Sequence, residues 1–338
     1  MKTKIVYVAV STHNDFFLEE LWASLYSLRQ FTPPVCEVVV LSDVETAARI
    51  KRRPALFKMI NELKVVQVPG NYSNELRSRV IKTNIRNFVD GDFLFIDTDT
   101  IICDSLESVD NLNVTNLAMV PELHGHFNEH VYFDSTCQDV KRIFGIDVSD
   151  SPYWFNSGCM LVKDNEMTRK FFTKWQENWE YSAIQKNESS DQRALLKTDK
   201  EFGYIIECLP DIYNSQVAMT IQYFFDAKIV HFWHMRSRFT SDVDYSPFCN
   251  KEIYKAIRTN NGISDDIAYT ILHCKSSFRS PSMIVGKKQI YLLYSSFFNI
   301  LGRKYLESST VKRITDWFIH ILYLLERVKV KFLGYKSK

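Results

Sequence analysis

The sequence lacks the features that mark secreted or disulfide-bonded proteins. Its 338 residues include seven cysteines, an odd number, and no two of them form a Cys-x-x-Cys pair. Several lie in apolar stretches, which favours buried free thiols in a reducing compartment over a disulfide framework. The first residues, MKTKIVYVAV, contain two lysines but only a short apolar run and no small-residue cleavage site. We therefore interpret them as a first strand and not as a signal peptide.

Long apolar runs are also absent. The two longest are QIYLLYSSFFNILG, residues 289–302, and WFIHILYLL, residues 317–325. A membrane-spanning helix needs about 18 to 20 predominantly apolar residues. We therefore expect a protein that can lie on a membrane but does not cross it.

The sequence has little net charge, a formal +2 from 42 basic and 40 acidic residues, but this charge is unevenly distributed. Residues 283–338 contain 11 lysines and arginines against three acidic residues, a net +8, whereas residues 1–282 carry a net −6. A basic C-terminal region of this kind indicates an anionic partner. The rest of its composition is typical of an ordinary soluble globular protein.

The first hundred residues alternate between apolar, β-branched runs and segments with apolar residues at helical spacing. Such an alternation predicts an α/β fold with a parallel sheet. The predicted strands are 5–10, 33–43, 64–69 and 93–99, and the predicted helices are 18–31, 46–62 and 74–88. The later pattern is less regular, with strands expected at 116–122 and within 153–164 and a helix at 166–185.

We predict two regions, a catalytic domain of residues 1–245 and a C-terminal region of residues 246–338. The second begins with a weakly patterned connector and ends in a helical segment that is apolar on one face and basic at its flanks. Two interpretations stay open: a helix packed on the core, or an amphipathic anchor on an anionic bilayer. The apolar face comprises Ile314, Trp317, Phe318, Ile321, Leu324, Leu325 and Val328, flanked by Lys312, Arg313, Arg327, Lys329 and Lys331.

Two aspartates end the fourth predicted strand, where FLFI runs directly into Asp97 and Asp99. Residues two apart in an extended chain point to the same side, and two carboxylates about 5 Å apart repel by roughly 3 kcal/mol at an effective dielectric constant of 20. Either one is protonated or a cation lies between them. Ligands of open α/β sheets bind beyond the carboxyl ends of strands. We therefore expect Mg²⁺ or Mn²⁺ with substrate phosphates here, with a strand-end turn as the alternative.

Four stretches follow one another along the chain: FLFIDTDTII (93–102), WFNSGCMLV (154–162), SSDQRALLK (189–197) and IVHFWHMRS (229–237). In this order and at these spacings they resemble the retaining, metal-dependent sugar transferases related to glycogenin and the lipopolysaccharide galactosyltransferases, glycosyltransferase family 8. The resemblance covers about residues 3–238 and implies a GT-A fold, a Rossmann-like α/β fold that binds nucleotide sugars, here with a helical basic C-terminal extension.

The resemblance assigns a cation and a donor to the acid pair. It implies that Asp97, Asp99 and His231 hold Mn²⁺ (or Mg²⁺) against the diphosphate of a UDP-sugar, with Thr98 also at the donor. A histidine at a strand end is more often a packed core residue, but its place after three other matching stretches favours the ligand role.

The resemblance also implies contacts to the rest of the donor. Thr12 and Asn14 would contact the nucleotide, and Phe17 lies where an aromatic ring stacks on uracil, unless it begins the buried face of the following helix. Arg79 and Lys82 match basic positions that approach the diphosphate or the sugar, and residues three apart share a helix face. The alternative is a solvated basic face.

Three residues match positions around the transferred sugar: Asn156, Asp191 and Gln192. Gly158 would permit close approach of the backbone. Retention of configuration needs either a carboxylate nucleophile or front-face attack assisted by the leaving phosphate. Asp191 can orient the sugar or act as that nucleophile, and Gln192 can stabilise the developing cation; the sequence leaves both open.

One motif departs from the family pattern, which has a glycine three residues and a lysine six residues after the histidine, followed by Pro-Trp. Here those positions hold His234 and Ser237, and Pro-Trp is missing. Arg236 and Arg238 flank the missing lysine and are expected to contact the phosphates instead.

The sequence thus predicts a retaining hexosyltransferase that uses a UDP-sugar and a glycan or lipid-linked, lipopolysaccharide-like acceptor. We expect it in the cytoplasm, with the C-terminal region as a candidate peripheral anchor on the inner face of the membrane, and we expect no nucleic-acid partner. Two alternatives remain: an inverting GT-A transferase with Asp191 or another acid as general base, and a non-catalytic nucleotide-sugar-binding scaffold.

Overall fold

A computed structural model gives the fold and describes residues 1–32, 36–217, 221–232, 246–276 and 287–333. The strands are β1 (Lys4–Ala9), β2 (Val38–Ser42), β3 (Glu62–Val65), β4 (Phe93–Ile96), β5 (Thr100–Ile102), β6 (Leu117–Pro121), β7 (Phe155–Val162), β8 (Ile206–Cys208), β9 (Ser215–Gln216) and β10 (Ile229–His231). The helices are α1 (Phe17–Phe31), α2 (Val44–Lys51), α3 (Pro54–Phe57), α4 (Asn74–Lys82), α5 (Phe133–Phe144), α6 (Glu166–Glu180), α7 (Asp191–Glu201), α8 (Glu252–Asn260), α9 (Asp265–Leu272), α10 (Lys287–Tyr294), α11 (Ser296–Glu307) and α12 (Ser309–Leu333).

The main sheet has seven strands in the order β3-β2-β1-β4-β7-β6-β8. β1 pairs in parallel with β2 and β4, and β2 in parallel with β3, which confirms the predicted α/β sheet. The strand order reverses at β1, because β2 and β3 lie on one side of it and β4 on the other. Ligands of open α/β sheets bind beyond the carboxyl ends of strands at such a reversal. The topology therefore favours a crevice beyond the ends of β1 and β4.

Backbone pairing brings two more segments to the end of β4. β7 runs antiparallel to β4, and the Asp97 N–H donates to the Gly158 carbonyl at 2.8 Å. β5 starts just after the acid pair and forms a second sheet, of three strands, with β10 and β9. In that sheet His231 pairs with Thr100 and with Gln216.

Each face of the main sheet has its own hydrophobic core, because alternate strand residues point to opposite sides. On one face Ile5 and Tyr7 pack with side chains of α1, α8 and α9. On the other face Phe93 and Phe95 pack with aromatic residues of α6, including Trp175. Burial on both faces explains why β1 and β4 are continuous apolar runs in the sequence.

The chain divides into two compact units, Met1–Met235 with Asp244–Ser280, and Arg236–Val243 with Pro281–Lys338. Helices α8 and α9 lie in the segment predicted as a connector, and they contribute Ile257 and Ile271 to a core of the first unit. In the second unit the Tyr305 hydroxyl on α11 donates to Asp316 Oδ1 on α12 at 2.7 Å. Among the described residues, no helix combines the length and apolarity that crossing a bilayer requires.

Candidate active site

Three side chains of metal-binding types converge at the end of β4. Asp97 and Asp99 lie in the turn between β4 and β5, with the half-buried Thr98 between them, and His231 ends β10. One ligand atom from each of the three lies within 4.8 Å of the others. Two carboxylates and an imidazole at this spacing fit a divalent cation such as Mn²⁺ or Mg²⁺. The structure thus brings together the three residues predicted as metal ligands.

The ring of His231 is held from several sides. Its Nε2 lies 3.1 Å from Asp99 Oδ1 and its Nδ1 lies 3.0 Å from Asn214 Oδ1. Gly158 packs against the ring so closely that a Cβ there would lie 2.3 Å from Cε1. Burial lowers the pKa of His231, but the Asp99 carboxylate outweighs it and raises the pKa above its ordinary value. Because a histidine binds a metal through its neutral ring, protonation of His231 competes with cation binding at this site.

A group of opposite charges adjoins the metal-binding residues, with Lys82 and Asp191 buried and Arg79 and Asp97 half-buried. Lys82 Nζ donates to both carboxylate oxygens of Asp97, at 3.1 and 3.0 Å, and lies 3.5 Å from Asp191 Oδ2. Arg79, one turn earlier on α4, lies 3.3 Å from Asp191 Oδ1. Burial opposes ionisation of Asp191, but Arg79 and Lys82 outweigh it and lower its pKa to about 2. Asp191 is therefore a carboxylate at neutral pH.

The predicted sugar-site residues meet where β7 begins and α7 begins. Ser157 Oγ donates to Asp191 Oδ2 at 2.8 Å. Asn156 Nδ2 and Gln192 Nε2 both donate to Glu122 Oε2, at 2.9 and 2.7 Å. Burial raises the pKa of Glu122 to about 7, although these two hydrogen bonds oppose the rise. Asn156, Asp191 and Gln192 are thus held by hydrogen bonds beside the acid pair.

The loop between β1 and α1 contains the predicted nucleotide contacts. Asp15 organises it, because its Oδ2 accepts hydrogen bonds at 2.8 Å from both the backbone N–H and the hydroxyl of Thr12. Asn14 is exposed, and Phe17 is half-buried as the first residue of α1. This loop follows the strand next to β4, at the same edge of the sheet. The nucleotide contacts of Thr12, Asn14 and Phe17 stay predictions.

Two other predicted residues, Arg236 and Arg238, lie outside the described residues. Sequence reasoning missed Glu122, Ser157 and Asn214. Glu122 had a usable signal, since it follows the apolar strand residues LAMVP just as the acid pair follows FLFI. Ser157 lies within the strand expected in 153–164, and no local pattern distinguishes it or Asn214 from its neighbours.

No family model and no curated protein sequence matches the chain significantly, whereas solved structures do. An active-site mutant of LgtC matches with a TM-score of 0.50 and 15% sequence identity, covering 78% of this chain and 98% of that chain. The chain has the GT-A fold.

Two further structures resemble this GT-A chain with lower scores. The galactosyltransferase LgtC in complex with donor and acceptor sugar analogues has a TM-score of 0.49 and 15% identity, covering 86% of this chain and 100% of that one. Mouse xyloside xylosyltransferase 1 has a TM-score of 0.46 and 14% identity, covering 68% and 97%. At these identities the comparison concerns the GT-A fold and not the substrates.

Proposed function

We propose that the chain is a metal-dependent glycosyltransferase that moves a hexose from a UDP-sugar to a glycan or lipid-linked acceptor with retention of configuration. One observation carries the proposal: Asp97, Asp99 and His231 converge at the carboxyl ends of parallel strands, where α/β sheets bind their ligands. The GT-A fold, shared with LgtC, is consistent with this class of reaction.

In this proposal Asp97, Asp99 and His231 hold Mn²⁺ or Mg²⁺. When bound, such an ion neutralises the charge that develops on the leaving diphosphate. Lys82 and Arg79 place two more positive charges next to this position. Further contacts to the UDP-sugar would come from Thr12, Asn14, Phe17, Thr98, Arg236 and Arg238.

The low pKa of Asp191 argues against an inverting mechanism with this residue as general base and so favours retention. A general base works best with a pKa near the operating pH, and a pKa of about 2 makes Asp191 a weak base. Its fixed negative charge, oriented by Ser157 and Arg79, suits a role in orienting the sugar or stabilising positive charge on it. Gln192 donates through Nε2 to Glu122 and to the Phe155 carbonyl, so Oε1 is the acceptor atom that can face a ligand.

We further propose that the C-terminal region attaches the protein to an anionic membrane surface on the cytoplasmic side. The side chains of Ile314, Trp317, Phe318, Leu324 and Leu325 on α12 are 46–65% exposed, and exposed lysine and arginine residues precede them on the same helix. Exposed apolar groups beside basic residues on one helix suit an amphipathic anchor on an anionic surface.

The first experiment is hydrolysis of a panel of UDP-sugars with Mn²⁺. We expect slow hydrolysis that stops on chelation and falls at least about 100-fold in Asp99→Ala, the scale for losing one group that stabilises transition-state charge. Asp90→Ala is the matched control, because Asp90 belongs to another Asp-x-Asp pattern and its side chain is 88% exposed; it should keep full activity. Binding of UDP and Mn²⁺ without hydrolysis of any sugar donor would favour the scaffold, and metal-independent hydrolysis would reject the proposed site.

A further inference from the structure

Four buried side chains form a continuous hydrogen-bond relay, Glu122–Asn156–Asn214–His231, from the proposed sugar site to the proposed metal site. Asn156 Nδ2 donates to Glu122 Oε2 at 2.9 Å. Asn214 Nδ2 donates to Asn156 Oδ1 at 2.9 Å, and Asn214 Oδ1 lies 3.0 Å from His231 Nδ1. The relay therefore ends on the nitrogen of His231 that faces away from Asp99.

The orientation of both amides in the relay is determined by a backbone group. The Gly158 N–H can only donate, and it lies 2.9 Å from Asn156 Oδ1, so Asn156 must direct its Nδ2 toward Glu122. Asn156 Oδ1 can then only accept from Asn214, which must present Nδ2 to it. The carbonyl oxygen of Asn214 is left facing His231, and the Nδ1 atom must carry a hydrogen.

This hydrogen decides which nitrogen of His231 can bind a cation. With a hydrogen on Nδ1, the lone pair of the neutral ring is on Nε2, and Nε2 is the nitrogen that lies 3.1 Å from Asp99 Oδ1. The other neutral tautomer would place a lone pair against Asn214 Oδ1 and a hydrogen toward the metal-binding carboxylates. The relay disfavours that tautomer at Nδ1, because two lone pairs would then face each other across 3.0 Å.

We propose that Asn214 is a positioning residue that sets the tautomer of His231 and thereby the affinity of the Asp97–Asp99–His231 site for a divalent cation. The fold places it for this role, because Asn214 directly precedes β9, whose Gln216 pairs with His231. The described contact of Asn214 with the metal-binding residues is the one between its Oδ1 and Nδ1 of His231. The inference rests on the proposed function only in requiring that a cation binds at this site.

The first test measures Mn²⁺ binding without nucleotide, by electron paramagnetic resonance of the free ion. Asn214→Leu keeps the branched shape and the number of side-chain heavy atoms but removes the acceptor, and we expect its Kd for Mn²⁺ to rise about 10- to 100-fold, the usual effect of losing such a partner. The matched control is Asn178→Leu. Asn178 is also a buried amide with two side-chain partners, Thr198 and Glu201, but lies outside the relay, and its Kd should not change.

The second test detects the tautomer directly. In ¹⁵N-histidine NMR spectra of the metal-free protein, at a pH high enough for the ring to be neutral, the His231 signals are identified among eight histidines by their loss in His231→Gln. We expect a protonated Nδ1 in the wild type and a mixture of tautomers in Asn214→Leu. Asn214→Asp retains an acceptor opposite Nδ1 and should bind Mn²⁺ more tightly than Asn214→Leu. If Asn214→Leu does not fold, Asn214→Ala removes the same oxygen and replaces it in both tests.

The outcomes separate the inference from the proposed function. If the wild type binds no Mn²⁺ at all, the proposed function fails. If the wild type binds Mn²⁺ but Asn214→Leu binds it equally well, or keeps Nδ1 fully protonated, the role of Asn214 is wrong while the metal site stands. A loss of affinity that Asn178→Leu shares would also overturn the role, because it would report general destabilisation.

Discussion

At Gly158 a missing side chain makes room for the ring of His231. A methyl group there would lie 2.3 Å from His231 Cε1 and 2.8 Å from Asn156 Oδ1, closer than packed atoms allow. Because both neighbours are buried parts of the site, one of them has to move. We predict that Gly158→Ala displaces His231, weakens Mn²⁺ binding at least about 10-fold and lowers the free energy of unfolding by about 1–3 kcal/mol.

Gly70→Ala is the control for this prediction, because no atom lies within 4 Å of a Cβ placed at Gly70. Titration with Mn²⁺ and urea unfolding of both variants measure the two effects. Equal Mn²⁺ affinity of Gly158→Ala and the wild type would show that the ring of His231 is not needed in the position described.

The buried carboxyl group of Glu122 leads to a prediction about how the free energy of unfolding depends on pH. Burial raises its pKa from 4.5 to about 7, so the folded state favours the protonated form. The stabilisation that this proton provides is complete below about pH 4.5 and is lost as the pH rises through 7. Glu122→Gln has the same shape without the ionisation. We therefore expect the unfolding free energy of the wild type to fall, relative to that of Glu122→Gln, by about 3 kcal/mol between pH 4.5 and 8.

Urea unfolding of both proteins at several pH values measures this difference. Asp199 needs its own comparison, because burial raises its pKa to about 7 as well, and Asp199→Asn should show a separate effect of the same sign. If the wild type and Glu122→Gln have parallel pH profiles, Glu122 ionises in the folded protein as it does in water.

Single residues also show how far the sequence could predict the site. The acid pair could be found because its position after an apolar strand is a local pattern, and His231 because it follows three other stretches that match the family resemblance. Asn214 could not be found, since its role depends on contacts to residues 58 and 17 positions away. Hydrogen-bond partners of that kind are set by the packing of β7, β9 and β10 and leave no periodic signal.

At the scale of elements, α8 adds a support for the β1–α1 loop that the sequence did not predict. Arg258 Nη1 donates to the His13 carbonyl at 3.1 Å and Nη2 donates to the Asp15 carbonyl. Its guanidinium also lies 4.2 Å from the centre of the Phe16 ring. One side chain from α8 therefore holds the backbone of the loop in which the nucleotide contacts are predicted.

We predict that Arg258→Met weakens UDP binding at least about 10-fold, the equivalent of one of the two carbonyl hydrogen bonds that the loop loses, each worth roughly 1.5 kcal/mol for a charged donor. Mn²⁺ binding without nucleotide should stay unchanged, since the hydrogen bonds described for Arg258 go to the β1–α1 loop and to Glu19 on α1. Lys255→Met, an exposed position on the same helix, is the control. Calorimetric titration with UDP measures the effect, and equal UDP affinity in all three proteins would contradict it.

Elements differ in how well their sequence pattern predicts them. β1, β2 and β4 were predicted because strands buried on both faces are continuous apolar runs. The helix predicted at 46–62 is two helices, with Pro54 beginning the second, and β3 starts at Glu62, two residues before the predicted strand. The direction of β7 could not be predicted, because the pairing of strands far apart in sequence has no local signature.

At the scale of the whole molecule, the uneven charge of the chain leads to a prediction about membranes. Residues 286–338 carry the same net +8 as the basic region defined above, together with the exposed apolar side chains of α12. Each lysine or arginine near an anionic surface contributes about 1 kcal/mol, screened over a Debye length of about 10 Å at 0.1 M salt. Binding should therefore require both anionic lipid and low salt.

We predict that truncation after residue 285 releases the protein from vesicles that contain phosphatidylserine while UDP-sugar hydrolysis continues. Two substitutions in the full chain separate the contributions. Lys312→Glu should weaken binding roughly 10-fold or more and reduce its salt dependence, whereas Trp317→Ser should weaken it without changing the salt dependence, because only apolar contact is lost. Sedimentation with phosphatidylserine-containing and neutral vesicles measures each variant. Unchanged sedimentation after truncation would mean that α12 does not bind the membrane, and the packed helix would remain as the interpretation. Loss of hydrolysis would mean that the removed residues support the catalytic unit.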